Sequence, residues 1–245
     1  MEVMTNNTSP ETNHTNDGRR RLNPRPWDTD WLVLRGMHRE ISRIAAIVAS
    51  PGTMVIDFGC GDKPYEPVFT RLGARYTGAD LGSGSEIRVS DDGRLGAPDQ
   101  SYDIVFSSQV LEHVRDLDTY FAEARRVLRP GGHLLLSTHG SWFYHPQPED
   151  HRRWTREGLT AELATHNFEP AECSPVVGPL AYTTILRMTM IAYVLRRLPI
   201  VGPILARCLT LLANAQARLE DAITPSGVAG DNACVYVTLS RKVAP

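Results

Sequence analysis

A doubly wound α/β fold is predicted: a mostly parallel, seven-stranded sheet with helices on both faces and a helical insertion before the last strand. Three observations predict it. Short apolar runs alternate with helix-period segments along most of the 245 residues, as right-handed crossovers in a parallel sheet require. "YDIVFS" at 102–107 is apolar almost without interruption, the signature of a strand covered on both faces. A glycine turn, Gly59-Cys60-Gly61, follows directly on the first such run, where open α/β sheets place their ligands.

Taken in order, residues 1–26 are polar, contain Asn and Pro and hold almost no large apolar side chain, so a disordered tail is expected. The Arg19-Arg20-Arg21 run reads as solvated, with contact to an acidic surface as the alternative. One domain is expected over 27–245, with 176–224 as its helical insertion. Leu34, Met37, Ile41, Ile44 and Val48 recur at helical spacing behind Asp30, a candidate N-cap, and Pro51-Gly52 ends that helix. Strands follow at 53–58, at "ARYTGAD" up to Asp80, weakly at "SEIRVS", and at 102–107. A short helix over about 65–72 separates the first two.

Leu117, Tyr120, Phe121, Ala124, Val127 and Leu128 share one helix face, and "RPGG" stops that helix before the strand "HLLLST". Thr155 opens a further helix, and "ACVYVTLS" alternates like a last strand at the sheet edge. The stretch 173–219 breaks the rhythm. It carries five arginines and no acid, Pro199 and Pro203 divide it, and its longest uncharged run of 14 residues is too short to span a bilayer.

A net charge of −2 excludes a nucleic-acid-coating protein. Cys60, Cys173, Cys208 and Cys234 form no CxxC pair, which points to reduced thiols and excludes a cysteine-based zinc site. The N-terminal stretch has no apolar signal core, so a cytoplasmic protein is expected.

The glycine turn decides the ligand. A nucleoside triphosphate needs GxxxxGK[ST], which is missing here. A dinucleotide needs GxGxxG, but Pro64 takes the third position and Asp62 would face a pyrophosphate. S-adenosylmethionine is a sulfonium carrying an ammonium, a carboxylate and a ribose, and it suits a turn lined with Asp57 and Asp62. Asp80 ends the second strand 23 residues after Asp57, close to the roughly 20 expected of a ribose-binding acid.

"VIDFGCGDKPYEP", "YTGADL", "DDGRLGAPDQSYDIVFSSQVLEHV" and "EARRVLRPGGHLLLST" resemble the successive motifs of class I S-adenosylmethionine-dependent methyltransferases, most like the type 11 group. The resemblance covers about 53–139 and implies a Rossmann-like sheet, the cofactor S-adenosylmethionine and the product S-adenosylhomocysteine. By that resemblance Asp57, Gly59, Cys60 and Gly61 surround the methionine end, Asp80 holds the ribose and Leu81 packs on adenine. Asp91 or Asp92 stands near the adenine amino group, and Ser107, Ser108 and Gln109 face the cofactor. Glu112 and His113 begin the next helix near the methyl donor. "LGAPDQSYD" departs from the family's usual Leu-Pro-Phe.

In this architecture the loop "STHGSWFYHPQPEDHRRWT", 137–155, lies above the methyl group. His139, His145 and His151 are candidate bases for a hydroxyl acceptor, with His113 a further one. Trp142, Tyr144 and Trp154 are candidate substrate contacts. No metal is expected, although His145 and His151 with Glu149 and Asp150 are spaced as one could be held. The acceptor is expected to be a small molecule, a sugar or a lipid-linked glycan, methylated at oxygen; the alternative is a non-catalytic protein that binds the cofactor. The basic segment 176–219 is a lid, a homodimer interface or a peripheral membrane contact.

Overall fold

The computed structural model describes residues 18, 20–82, 84–146 and 149–243. Its elements are α1 (Trp31–Val48), β1 (Met54–Phe58), α2 (Glu66–Thr70), β2 (Arg75–Asp80), β3 (Ile87–Arg88), β4 (Tyr102–Ser108), α3 (Leu117–Val127), β5 (Leu128–His139), α4 (Arg156–Thr165), β6 (Phe168–Val176), α5 (Pro179–Leu195), α6 (Val201–Ile223), α7 (Ser226–Asp231) and β7 (Val235–Lys242). The sheet runs β3-β2-β1-β4-β5-β7-β6. The first five strands are parallel, and β7 is antiparallel to both β5 and β6. Strand order reverses between β1 and β4, so the crevice over their carboxyl ends is the place for a ligand.

Alternate side chains of one strand serve opposite faces, which explains the uninterrupted apolar runs. Val55, Ile104, Phe106 and Leu135 pack beneath α1 and α2, against Met37, Ile41, Ile44, Tyr65 and Phe69. Their neighbours Ile56, Val105, Leu134 and Leu136 pack on the other face, against Tyr120, Phe121, Val127, Leu159 and Leu163 of α3 and α4. Asp116 caps α3 by accepting from the Thr119 N–H at 3.1 Å, and Thr155 caps α4 by accepting from the Gly158 N–H at 3.0 Å.

Two expectations are corrected. The strand read as the edge, β7, lies inside the sheet with residues 235–240 all buried. The edge is β6, which the sequence hid: Pro170 and Pro175 interrupt it and its pairing slips between Pro170 and Glu172. Proline lacks the N–H that a central strand needs on both sides, so an edge is where it fits. Within the stretch expected as a disordered tail, 1–26, residues 20–22 form a helical turn, and Arg20 pairs with Asp28 and Asp30. Asp30 therefore stands at the N-cap of α1 without capping it. Residues 1–17 and 19 lie outside the described residues.

Helices α5 and α6 form a hairpin. Its base joins the main core through Ala181, Ile185 and Ala217, and Asn214 fastens it to the Pro26 and Asp28 carbonyls at 2.7 and 2.9 Å. Towards the tip the two helices share only a small core of Met188, Ala192 and Ala206. No helix among the described residues is long and apolar enough to cross a membrane.

Candidate active site

A cavity of about 1000 Å³ opens over the carboxyl ends of β1, β2 and β4. Its floor is the turn after β1. Gly59 has φ +85°, and a Cβ there would sit 2.5 Å from Val110 Cγ2, so no side chain is tolerated. The Gly59 and Cys60 N–H groups donate to the Ala79 carbonyl at 2.8 and 3.1 Å, which fastens the turn to β2. The Gly61 N–H donates to Asp80 Oδ2 at 2.7 Å, and a Cβ on Gly61 would meet nothing within 4 Å. Gly61 thus offers bare backbone to the cavity.

Asp57 is buried. Its Oδ2 accepts from the Tyr76 hydroxyl, while Oδ1 has no hydrogen-bond partner among the described residues. Burial, opposed by the Tyr76 hydrogen bond and reinforced by Asp80, pushes this carboxyl up to about 7. Burial also pushes the Cys60 thiol to about 12, which leaves it inert. Leu81 is half exposed at the cavity wall, which Asp91 and Asp92 also line. Asp92 is engaged by Ser90 and Arg94, whereas Asp91 makes no such contact among the described residues. Gln109 holds φ +57° and donates from its backbone to the Ser137 carbonyl at 2.9 Å; its side-chain Oε1 is buried without a partner among the described residues. A non-glycine residue in that conformation, aimed into a cavity, is strain of the kind found at ligand sites.

Ser107 is not a cavity residue. Its hydroxyl donates to the Phe58 carbonyl at 2.8 Å and ties β4 to β1 inside the sheet.

At the far end the cavity is lined by His113, His139, Trp142 and His145. His139 stacks on Trp142 with centroids 5.5 Å apart, and His145 lies edge-on to both His113 and His139 at 4.9 and 5.1 Å. Burial keeps His139 well below its ordinary value and lowers His145 too, so both rings are neutral at pH 7. Behind them Glu112 is fully buried, its Oε2 accepting from the Thr138 hydroxyl at 2.9 Å. The loop carrying His145 is held by Arg153, which clasps Asp150 with two bonds of 2.6 and 2.8 Å and donates to the Phe143 carbonyl at 2.5 Å.

Three expected residues stand elsewhere. His151 turns to Glu149 at 2.9 Å and does not line the cavity, so the spaced His145–His151 pair does not converge on one point. Trp154 packs into the core beneath α3 and α4, with its backbone N–H on the His139 carbonyl at 3.0 Å. Tyr144 projects into solvent, 69% exposed. Residues that the sequence did not assign to the site also line it: Arg20, Arg21, Asp30, Val33 and Met37 close one wall. Only their long-range placement makes them cavity residues, which no local signal carries.

A model of the family described as methyltransferase domain matches residues 32–173, well over half of the chain. The chain belongs to the class I S-adenosylmethionine-dependent methyltransferases. A malonyl-[acyl-carrier protein] O-methyltransferase of Yersinia pestis is 38% identical over 98 residues, 36% of this chain and 37% of that protein. A ubiquinone biosynthesis O-methyltransferase of Cereibacter sphaeroides is 30% identical over 110 residues, 39% and 44% of the two chains. The matched stretch thus spans less than half the length of these curated relatives. Among solved structures, the Burkholderia thailandensis 1,6-didemethyltoxoflavin-N1-methyltransferase with bound 1,6-didemethyltoxoflavin and S-adenosylhomocysteine superposes with a TM-score of 0.52 at 20% identity. It covers 86% of this chain and 79% of its own, and shows the shared fold.

The cofactor of this methyltransferase is S-adenosylmethionine, and the residues present suit it. The orphaned oxygens of Asp57 and Gln109, both acceptors, match a donor-rich cationic amino-acid end. The bare backbone at Gly61 leaves room beside them, and the carboxylates of Asp80 and Asp91 border the same cavity.

Proposed function

We propose that this methyltransferase moves a methyl group from S-adenosylmethionine to a hydroxyl oxygen of a small or lipid-borne acceptor. One observation carries the reading: a single cavity joins an acidic glycine turn to the clustered imidazoles of His113, His139 and His145. In this reading Asp57, Gly59, Cys60, Gly61 and Gln109 hold the amino-acid end of the cofactor, Asp80 its ribose, and Leu81 and Asp91 its base. When bound, the cofactor supplies a methyl group on a cationic sulfur, open to in-line displacement. The chain has to align the acceptor, keep water out and take up the hydroxyl proton. His113 and His145 face that proton, either accepting it or binding an ion that acidifies the hydroxyl. The relatives that carry O-methyltransferase names support oxygen as the acceptor atom. A protein that only bound the cofactor would have no use for His113, His139 and His145 at the far end of the same cavity.

The test is calorimetric titration with S-adenosylhomocysteine from pH 5.5 to 8. Asp57 is half protonated near pH 7 in the free protein, and a bound ammonium favours the carboxylate. Binding below pH 7 should therefore expel up to about one proton, and affinity should tighten roughly tenfold per pH unit until it levels above 7. The sign for the free protein is opposite. A folded-state value raised above 3.8 means that the native state holds its proton more tightly. The Asp57 contribution to stability is then greatest below about pH 4 and fades as pH climbs through 7. Flat affinity with no proton release would remove Asp57 from the site.

The α5–α6 hairpin supports a lipid-borne acceptor. Leu198, Ile200, Val201 and Ile204 are exposed at its tip, and Ile200, 84% exposed, holds φ +61°, a conformation branched residues rarely adopt. Arg187, Arg196, Arg197, Arg207 and Arg218 are all exposed, with no acid between 173 and 219. Apolar tip and arginine flanks together match an anionic bilayer surface. The chain should float with phosphatidylglycerol vesicles, and a Leu198→Ser, Ile200→Ser, Ile204→Ser variant should not. A parent that stays at the bottom of the gradient but elutes as a dimer would make the hairpin an interface between copies.

A further inference from the structure

Three donors, two consecutive in sequence and one from the loop after β5, meet at the acceptor end of the cavity. One ligand atom from each of Glu112, His113 and His145 lies within 4.8 Å of the other two. Both imidazoles are oriented from behind. Nδ1 of His145 meets the Phe143 carbonyl at 3.0 Å, and Nδ1 of His113 meets the Glu149 carbonyl. A carbonyl only accepts, so each Nδ1 carries the hydrogen and each Nε2 keeps its lone pair. Proteins commonly prepare histidine for a metal in this way, with a backbone carbonyl fixing the tautomer.

Glu112 supplies an independent sign. Its side chain is completely buried, Oε2 is satisfied by Thr138, and Oε1 has no hydrogen-bond partner among the described residues. His139 Nε2 stands 3.6 Å away, beyond hydrogen-bond reach. An acid oxygen left bare inside a protein is costly until a proton or a cation meets it.

We propose that Glu112, His113 and His145 bind one divalent transition-metal ion of the zinc, cobalt or manganese kind, with open coordination positions towards the cavity. Two imidazoles and a carboxylate suit these ions, whereas magnesium and calcium prefer all-oxygen sets. Donors at about 2.0–2.2 Å from one ion stand no more than about 4.4 Å apart, and the three atoms here all lie within 4.8 Å of one another. An ion in this place would take the acceptor's hydroxyl oxygen and lower its pKa, as metals do for bound water, the proton passing to solvent as the oxygen gains its methyl group. That role, though not the binding itself, rests on the methyl-transfer reading above.

The experiment uses the full, untagged chain after dialysis against EDTA. Cobalt(II) is titrated while its visible ligand-field bands are followed, and S-adenosylhomocysteine is titrated in parallel. A single equivalent of cobalt should bind and be displaced by zinc. His113→Ala, His145→Ala and the near-isosteric Glu112→Gln should each weaken it about tenfold or more, with unchanged far-ultraviolet circular dichroism. His133→Gln, on the sheet away from the cavity, should not. No bands with the parent chain at submillimolar cobalt, or variants that bind as the parent does, would overturn the proposal. Cobalt absent with S-adenosylhomocysteine bound sinks only the metal site; the reverse sinks only the cofactor reading.

Discussion

Arg153→Ala is expected to lower the unfolding free energy by about 3–5 kcal/mol, the usual result of stripping the partner from a buried charge. Asp150 exposes only 1% of its side chain, and both of its oxygens are taken by Arg153. Without the guanidinium the carboxylate keeps, among the described residues, the His145 N–H at 2.9 Å and that residue's Nδ1 at 3.5 Å. The same side chain holds the Phe143 and Trp142 carbonyls at 2.5 and 3.3 Å, so its loss also frees the loop that carries His145. Arg153 holds the Asp150 carboxyl well below the usual carboxylate range. The pair's contribution is therefore present above about pH 4 and lost as pH falls through the depressed value.

Urea unfolding at pH 7 reads the first effect. The second should appear as lost methyl transfer with S-adenosylhomocysteine affinity largely kept, since Asp57 and Asp80 lie at the other end of the cavity. A loss under about 1 kcal/mol would mean that water reaches Asp150 freely. An Asp150→Leu, Arg153→Met chain should regain most of the stability but not the acceptor wall.

What could be read from the sequence follows the range of each signal. The turn at Gly59-Cys60-Gly61, the buried runs of β1 and β4, and the apolar stripe of α3 are local: each is written within about a dozen residues and needs nothing from afar. Strand β6 was not legible, because Pro170 and Pro175 break its pattern and only a neighbouring β7 gives them a place. β7 reads as an edge strand by its alternation until β6 covers it. Within the site, Asp57 and Asp80 announce themselves by spacing from a glycine turn. The meeting of Glu112 with His145 depends on where the loop after β5 settles, and that of Arg20 with Asp30 on the turn between them. Trp154 shows the same limit in the opposite sense. Its composition suggested a binding wall, but the Trp154 N–H on the His139 carbonyl turns the indole inward, to the core under α3 and α4.

Gly59→Ala and Gly61→Ala should separate the two uses of glycine in that turn. At Gly59 the added Cβ would lie 2.5 and 3.0 Å from the two methyl groups of Val110, and the residue holds φ +85°. A left-handed alanine costs about 1–2 kcal/mol, and forcing a methyl into a filled space about 1–3 more. The substitution should lower stability and, because the Gly59 N–H anchors the turn on Ala79, cofactor affinity as well. Adding Val110→Ala relieves the contact but not the backbone strain, so it should restore part of the stability. At Gly61 nothing lies within 4 Å of the added Cβ, although φ is +49°. Stability should fall only by the left-handed cost, while the new methyl stands where the cofactor's amino-acid end is proposed to lie. Thermal melts and S-adenosylhomocysteine titrations of both variants decide the matter. Equal losses of stability, or a Gly61→Ala chain that binds like the parent, would show that the turn is scaffold and that its open backbone serves no ligand.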